Sequence, residues 1–238
     1  MKAMLLRVGI DKGSDGLLAP LFKDGSFEYI PLSEKDPESS ENRTFQDLEG
    51  KGGGELSKYL PEKVLNRKIH HDPEFNTFTY ADEGRKSKYL AKLDKGDYLV
   101  FYAGLTPWED EYQKDGLYLI GYLVVDQVIE LGKMDAPIQK KIISRYPTNS
   151  HLKRLRKEKV VLVVGDPKKS KLLSKATPLS QAKPDKRGRP YHAVSPAMEE
   201  LLGVKGSIQR SIPPRFIEDP VYLQNLLEIL EVQNSVRG

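Results

Sequence analysis

Apolar residues recur along this chain in short runs separated by Gly, Pro and charged clusters, and the period of each run predicts an element. Residues 1–10 form a near-continuous apolar run interrupted by Arg7, the pattern of a strand buried on both faces. Residues 17–22 and 27–32, split by Lys23-Asp24-Gly25-Ser26, predict a hairpin, and 33–54, rich in Glu, Asp, Ser and Gly, a long exposed loop of the size that covers a site. A weak helical or turn segment broken by Pro61 occupies 56–65, and a short helix 85–93. The turn Lys95-Gly96-Asp97 leads into YLVFYAGL, and after a polar insert at 107–116 comes LYLIGYLVVDQVIEL; this pair is the strongest β signal in the chain.

The second half alternates more finely. Residues 136–145, with Ile138, Ile142 and Ile143 at helical spacing, predict a helix, 150–158 a second short one, and VVLVVG at 160–165 a buried strand. A helix with a basic side is expected at 168–175 and a polar loop at 178–191. Ser195 caps a helix that starts at Pro196 and stops at Gly203. Residues 206–216 carry two prolines and no period, and 219–232 form a last helix with Val221, Leu223, Leu226, Leu227 and Leu230 on its apolar face. Strands and helices mix without strict alternation, so the expected class is mixed α/β (α+β), a central mixed or barrel-like sheet with surrounding helices. A single domain over 1–238 is favoured over a boundary near 150, because the strand at 159–164 has no predicted partners beyond that point.

Composition narrows the chemistry. With 238 residues, 38% hydrophobic and 30% charged, the chain has the balance of a globular protein. The absence of cysteine excludes disulfides, thiolate nucleophiles and cysteine zinc sites, and agrees with a reducing compartment or a hot habitat. The start reads as a strand and not as a signal peptide, and no apolar run is long enough to cross a membrane, so a cytoplasmic protein without a membrane partner is expected. The net charge of +4 is segregated: residues 1–150 hold 21 Lys/Arg and 25 Asp/Glu, whereas 151–215 hold 16 and 5. That basic stretch is either a phosphate-binding surface or a solvated lysine-rich face.

The densest polar segment is HHDPEFNTFTYAD at 70–82. Pro73 restricts Asp72 to extended backbone, and burial of Phe75 and Phe78 would fix the polar groups between them, as acid/base chemistry requires. His71, Asp72, Glu74, Thr77, Tyr80 and Asp82 are the catalytic candidates, with capping of backbone amides as the ordinary alternative for the carboxylates. His70 and His71 face opposite ways on a strand. A metal centre is not expected, because neither has a second histidine at i+2 or i+4 and only His151 and His192 occur elsewhere.

Two further features suit a nucleotide or nucleic acid. The strand ending Phe101-Tyr102 and the one through Ile120-Gly121-Tyr122 resemble the central hairpin of PUA-like, EVE and YTH nucleic-acid modules. That likeness implies that Tyr102 or Trp108 stacks on a base; Tyr102 suits the core equally, whereas Trp108 lies in a polar insert. KGSIQRSIPPRF presents Ser207, Gln209, Arg210 and Arg215 from a rigid segment, an inventory suited to phosphate or to pairing with acids of the first half. Arg7, Asp11 and Lys12 complete the binding candidates. No P-loop, dinucleotide fingerprint, nucleophile elbow or H-E-x-x-H is present, so the sequence names no cofactor.

MKAMLLRVGIDKG, HHDPEFNTFTYAD, LDKGDYLVFYAGL, LYLIGYLVV and GSIQRSIPPR, in that order, resemble the third of the nucleotide-modification-associated domain families. Ala81 stands where a Gly is expected before Asp82. The resemblance implies a part in modifying nucleic-acid bases in prokaryotes and viruses. Three readings follow: an enzyme of nucleotide or base modification, a non-catalytic reader of modified DNA or RNA, or an interaction protein whose acidic and basic parts pair. Substrate, cofactor and oligomeric state are not encoded in any motif.

Overall fold

The computed structural model describes residues 1–13, 15–109 and 114–232. Ser14, in the Gly-rich stretch between the first predicted strand and the predicted hairpin, and 110–113 of the polar insert lie outside the described residues. In chain order the strands are Ala3–Val8 (β1), Ala19–Leu21 (β2), Leu32–Ser33 (β3), Ile69–His70 (β4), Thr79–Asp82 (β5), Tyr98–Pro107 (β6), Gly116–Glu130 (β7), Val161–Gly165 (β8), Lys171–Pro178 (β9), Ser180–Pro184 (β10), Pro190–Val194 (β11) and Arg215–Ile217 (β12). The helices are Glu62–Leu65 (α1), Ser87–Leu90 (α2), Ala136–Arg145 (α3), Pro196–Leu202 (α4) and Pro220–Val232 (α5).

The fold is mixed α/β around a mixed sheet of eight strands ordered β12-β1-β6-β7-β8-β5, with β2 added to β6 and β9 to β7. The sheet is not closed into a barrel. β1 runs parallel to β6, and the pairings of β6 with β7 and of β7 with β8 are antiparallel. The predicted hairpin of β6 and β7 is therefore the spine, and its residues form the core: Leu99, Val100, Phe101, Leu119, Ile120 and Leu123 are completely buried. On the side away from β6, β7 serves two neighbours along its length, β9 at 118–122 and β8 at 125–130, with a register shift inside each pairing. Gly121 makes this possible, because a Cβ there would lie 2.7 Å from the Lys171 carbonyl oxygen.

Several expectations are corrected. Where a helix is expected at 168–175 the chain forms a strand, β9, from Lys171 on, because pairing with β7 outweighs local preference. The expected polar loop at 178–191 is the hairpin β10–β11, whose turn is stapled by the Asp185 carboxylate accepting from Arg187 N and Arg189 N. It shows no apolar alternation because no residue of β10 is buried and only Ala193 and Val194 of β11 are. The helix expected at 150–158 is one 3-10 turn over Ser150–Lys153. The stretch 33–54 is not uniformly exposed: Phe45 and Glu41 are fully buried, and Glu41 is paired with Arg43 at 2.6 Å and Lys153 at 2.8 Å. In α5, Leu223, Leu226 and Leu230 face the core, but Val221 is 66% exposed.

The capping signals around α4 are realised. Ser195 accepts from Met198 N, and Gly203 closes the helix at φ +65° against the Tyr222 ring. No helix among the described residues is long and apolar enough to cross a membrane. Phe101 carries the greatest burden in the spine, stacked edge-on with Phe75 at 5.7 Å and tilted against Tyr80 at 5.5 Å. Phe101→Ala is expected to cost about 3–5 kcal/mol in urea unfolding, the cost of truncating a buried aromatic; a loss below about 1 kcal/mol would contradict this account of the core.

Candidate functional site

Two cavities meet behind the end of β1. The larger, about 600 Å³, is lined by Arg7, Asp11, Lys12, Gly104, Asp115, His192, Gln209 and Arg210 among others. The smaller, about 320 Å³, is lined by Arg7, His70, Asp72, Tyr80, Asp82, Lys86, His151, Arg154 and Arg210 among others. Arg7 and Arg210 belong to both and form the seam. β1 sets Arg7 beside Tyr102 of β6, and Gly104 leaves the space its guanidinium needs, since a Cβ there would lie 2.9 Å from Arg7 Nη2. Arg210 reaches in from the segment after β11, donating to Asp11 Oδ2 at 2.5 Å and to the Gly9 carbonyl at 2.5 Å. Tyr102 pins that segment by donating to the Ile208 carbonyl at 2.9 Å.

The seam is strongly electropositive. Burial, and then the neighbouring Arg210 charge, lower Arg7 to about 10 and Lys86 to about 8. Lys86 Nζ donates to the Arg7 carbonyl oxygen at 3.2 Å, and Arg7 Nε is buried without a hydrogen-bond partner among the described residues. Lys12, at the rim of the larger cavity, is paired with Asp115 at 2.5 Å. Three cations thus converge where the fold supplies the Asp11 carboxylate to one of them directly.

The smaller cavity gathers the titratable groups. Asp72 is buried and accepts from Ala81 N at 3.1 Å and from Asn149 Nδ2 at 3.0 Å. Burial raises its pKa well above the usual carboxylate range despite those bonds. His151 Nε2 lies 3.6 Å from Asp72 Oδ2, and burial lowers this imidazole to about 4, so it is neutral at pH 7. Asn149 positions both, because its Oδ1 accepts from His151 N at 3.1 Å. His70 Nδ1 lies 3.0 Å from Glu34 Oε2, and Arg154 binds both Glu34 at 2.5 Å and Glu83 at 2.7 Å. Burial alone would raise the Glu34 carboxyl, but the bonds from His70 and Arg154 hold it below the carboxylate range.

The sequence candidates divide accordingly. Arg7, Asp11, Lys12, Gln209 and Arg210 line the larger cavity; Asp72, Tyr80 and Asp82 line the smaller one. Asp82 there also caps α2, accepting from Gly84 N, Lys86 N and Ser87 N. Glu74 and Thr77 line neither. Glu74 is fully buried and holds its own turn, accepting from Asn76 N, Thr77 N, the Thr77 hydroxyl and Thr148 Oγ1. His71 faces a third cavity, where its Nδ1 accepts from Arg43 at 3.2 Å; its neighbour His70 faces the site. Tyr102 is 4% exposed, and Trp108, half-buried, packs edge-on against Tyr59 at 4.9 Å. Ser207 lies on the flank with Gln209, and Arg215 on β12 donates to the Ser207 carbonyl. Sequence reasoning missed Lys86, Asn149, His151 and Arg154, which local spacing does not connect to residues 70–82.

A mixed open sheet with a cation seam beside β1, between two cavities, is the class this arrangement defines. The profile of the family described as nucleotide modification associated domain 3 matches residues 2–203, so the chain belongs to that family and is linked to nucleotide modification. The match ends before Gly206–Arg215, so the Gln209 and Arg210 wall lies beyond it. No curated protein and no solved structure matches the chain.

Two neutral histidines, His71 half-buried and His151 buried, fix a pH dependence. His71 and His151 sit at about 4 against 6.5 unfolded, so their contribution to stability is complete above about 6.5 and lost as the pH falls to about 4. Asp72, raised by burial, acts in the opposite sense, its contribution being greatest at low pH. Denaturant unfolding between pH 7 and 4.5 should show a net loss, and His71→Gln should flatten it by up to about 1.4 kcal/mol per pH unit. An unchanged slope in that variant would contradict the assignment.

Proposed function

We propose that this protein is an enzyme that binds a nucleotide, free or flipped out of a nucleic acid, and modifies its base. The observation that supports this reading is the seam itself: Arg7, Lys86 and Arg210 crowd together, two of them with lowered basicity, between cavities of nucleotide size. Such crowding costs folding free energy that a bound phosphate would offset, since guanidinium groups and an ammonium form charge-assisted bonds to its oxygens. The phosphate sits on the seam, the reacting base enters the smaller cavity, and the flanking part of the substrate lies along Lys12, His192 and Gln209 in the larger one.

The chemistry then falls to groups held in opposite protonation states. Burial keeps Asp72 toward its protonated form and His151 neutral, so the first is suited to giving a proton and the second to taking one. Asn149 and Ala81 N hold the Asp72 carboxyl in a fixed orientation, and Tyr80 closes the wall beside it. The burial of Tyr102 supports this reading over that of a stacking reader, because its ring has no open face for a base.

Arg7→Ala and Lys86→Ala should each weaken binding of a nucleoside monophosphate or a short oligonucleotide about tenfold, the loss of one charge-assisted bond. For the oligonucleotide, the slope of log affinity against log salt should fall by about one in each variant. Fluorescence anisotropy across a salt series checks both. Nucleosides from the DNA and RNA of cells expressing the protein, compared with cells expressing Asp72→Asn by mass spectrometry, should differ in one modified base. Salt-insensitive binding or identical nucleoside profiles would sink the reading.

A further inference from the structure

We propose that His70, Asp72 and His151 form a mononuclear site for a divalent transition metal ion, held by two imidazoles and one carboxylate in the wall of the smaller cavity. All three are buried, and one ligand atom from each lies within 4.8 Å of the other two. His151 Nε2 is already 3.6 Å from Asp72 Oδ2, and the two imidazole rings meet edge to face with centroids 4.6 Å apart. Ligand atoms about 2 Å from one ion lie roughly 3–4 Å apart, so small side-chain rotations close the set.

The surroundings are those of a metal site. A ligating imidazole binds through one nitrogen while the other is held by a carboxylate. At His70, Nδ1 lies between the Glu34 carboxylate at 3.0 Å and the Arg154 guanidinium at 3.2 Å. Glu34 only accepts and Arg154 only donates; in the proposed site the Nδ1 proton goes to Glu34, the nearer of the two, which leaves Nε2 with the lone pair. At His151 the arrangement recurs in looser form: Nδ1 lies 4.0 Å from Glu83 Oε2 and is buried without a hydrogen-bond partner among the described residues, while Nε2 faces Asp72. Asp72 in turn is oriented by Asn149 and Ala81 N. That buried, unpaired nitrogen is unexplained by packing alone; drawing Nε2 onto an ion moves the ring against Glu83 and fixes its tautomer.

Two imidazoles beside one carboxylate select against magnesium and calcium, which take oxygen, and the chain has no thiolate to favour a soft ion. First-row transition ions that take imidazole and carboxylate together, such as zinc, ferrous iron, cobalt and nickel, suit the set. The cavity leaves the far side of the ion open, so a solvent or substrate oxygen completes its coordination. An ion here holds Asp72 as a carboxylate and occupies His151 Nε2, so it takes the place of the proton-transfer roles given to these two groups while leaving the phosphate seat unchanged, and it is measured with no nucleotide present.

The test uses the full chain, stripped with a chelator and titrated with Co²⁺ while visible absorption is followed. One Co²⁺ per chain should bind with ligand-field bands, be displaced by Zn²⁺, and be unaffected by Mg²⁺. His151→Gln and Asp72→Asn should each weaken Co²⁺ binding by more than the roughly 10–100-fold that outer partners contribute; His71→Gln, in the other cavity, should leave it unchanged. Where circular dichroism shows that a variant has not folded, X-ray absorption of the Zn²⁺-loaded wild type decides, and two coordinated imidazoles are expected. No stoichiometric uptake, uptake unchanged in both folded variants, or a spectrum without two imidazoles would overturn the proposal.

Discussion

The Asn149 side chain is the tie on which the small cavity depends. Its amide donates to Asp72 Oδ1 at 3.0 Å and to Thr79 Oγ1 at 3.2 Å, and its oxygen caps the turn that carries His151. Asn149 is completely buried, so each of these bonds is made where water cannot replace it and losing one leaves an unsatisfied group. It joins segments 77 residues apart and sets the distance between the carboxyl and the imidazole. The rest of the site is arranged around that link, with Arg154 bracing Glu34 and Glu83 and Asp82 opening α2 so that Lys86 reaches the seam.

The segregated charge of the sequence acquires a physical sense in this frame. Lys153, Arg154 and Arg210 from the basic stretch pair with Glu41, Glu34, Glu83 and Asp11 from the acidic one, so part of the asymmetry is consumed inside the fold. Arg7 and Lys86 come from the acidic part, and it is at these two that burial and like charge lower basicity. Two of the three cations of the candidate phosphate seat, Arg7 and Lys86, are thus ones that overall charge counting overlooks. Charge along a chain reports solubility and nonspecific affinity; the seat is fixed by which β1 residue faces Gly104.

The spine was legible because β6 and β7 carry long runs of β-branched and aromatic residues that no helix would present in that order, and α4 because Ser195, Pro196 and Gly203 mark its ends. β9 was not, since Leu172 and Leu173 have no strand period and acquire their conformation from β7. In the site, Asp72, Tyr80, Asp11 and Arg210 stood out as polar groups in shaped segments. His71 was chosen where His70 faces the cavity, because a pair of adjacent histidines does not reveal its phase until β4 is paired with β3. Glu74 looked like chemistry and holds a turn, since a carboxylate that staples amides has the same local sequence as one that moves protons. Asn149 and His151 enter only through long-range contacts, and Lys86, tied locally to Asp82 through its backbone, joins the seam through the reach of its ammonium to the Arg7 carbonyl.

The most direct measurement is a crystal structure of the protein with a bound nucleoside monophosphate. The account predicts phosphate oxygens within hydrogen-bond distance of Arg7 and Arg210, with the base turned toward Asp72 and His151. A nucleotide bound elsewhere, with Arg7 and Lys86 unmoved and the seam filled only by solvent, would contradict it.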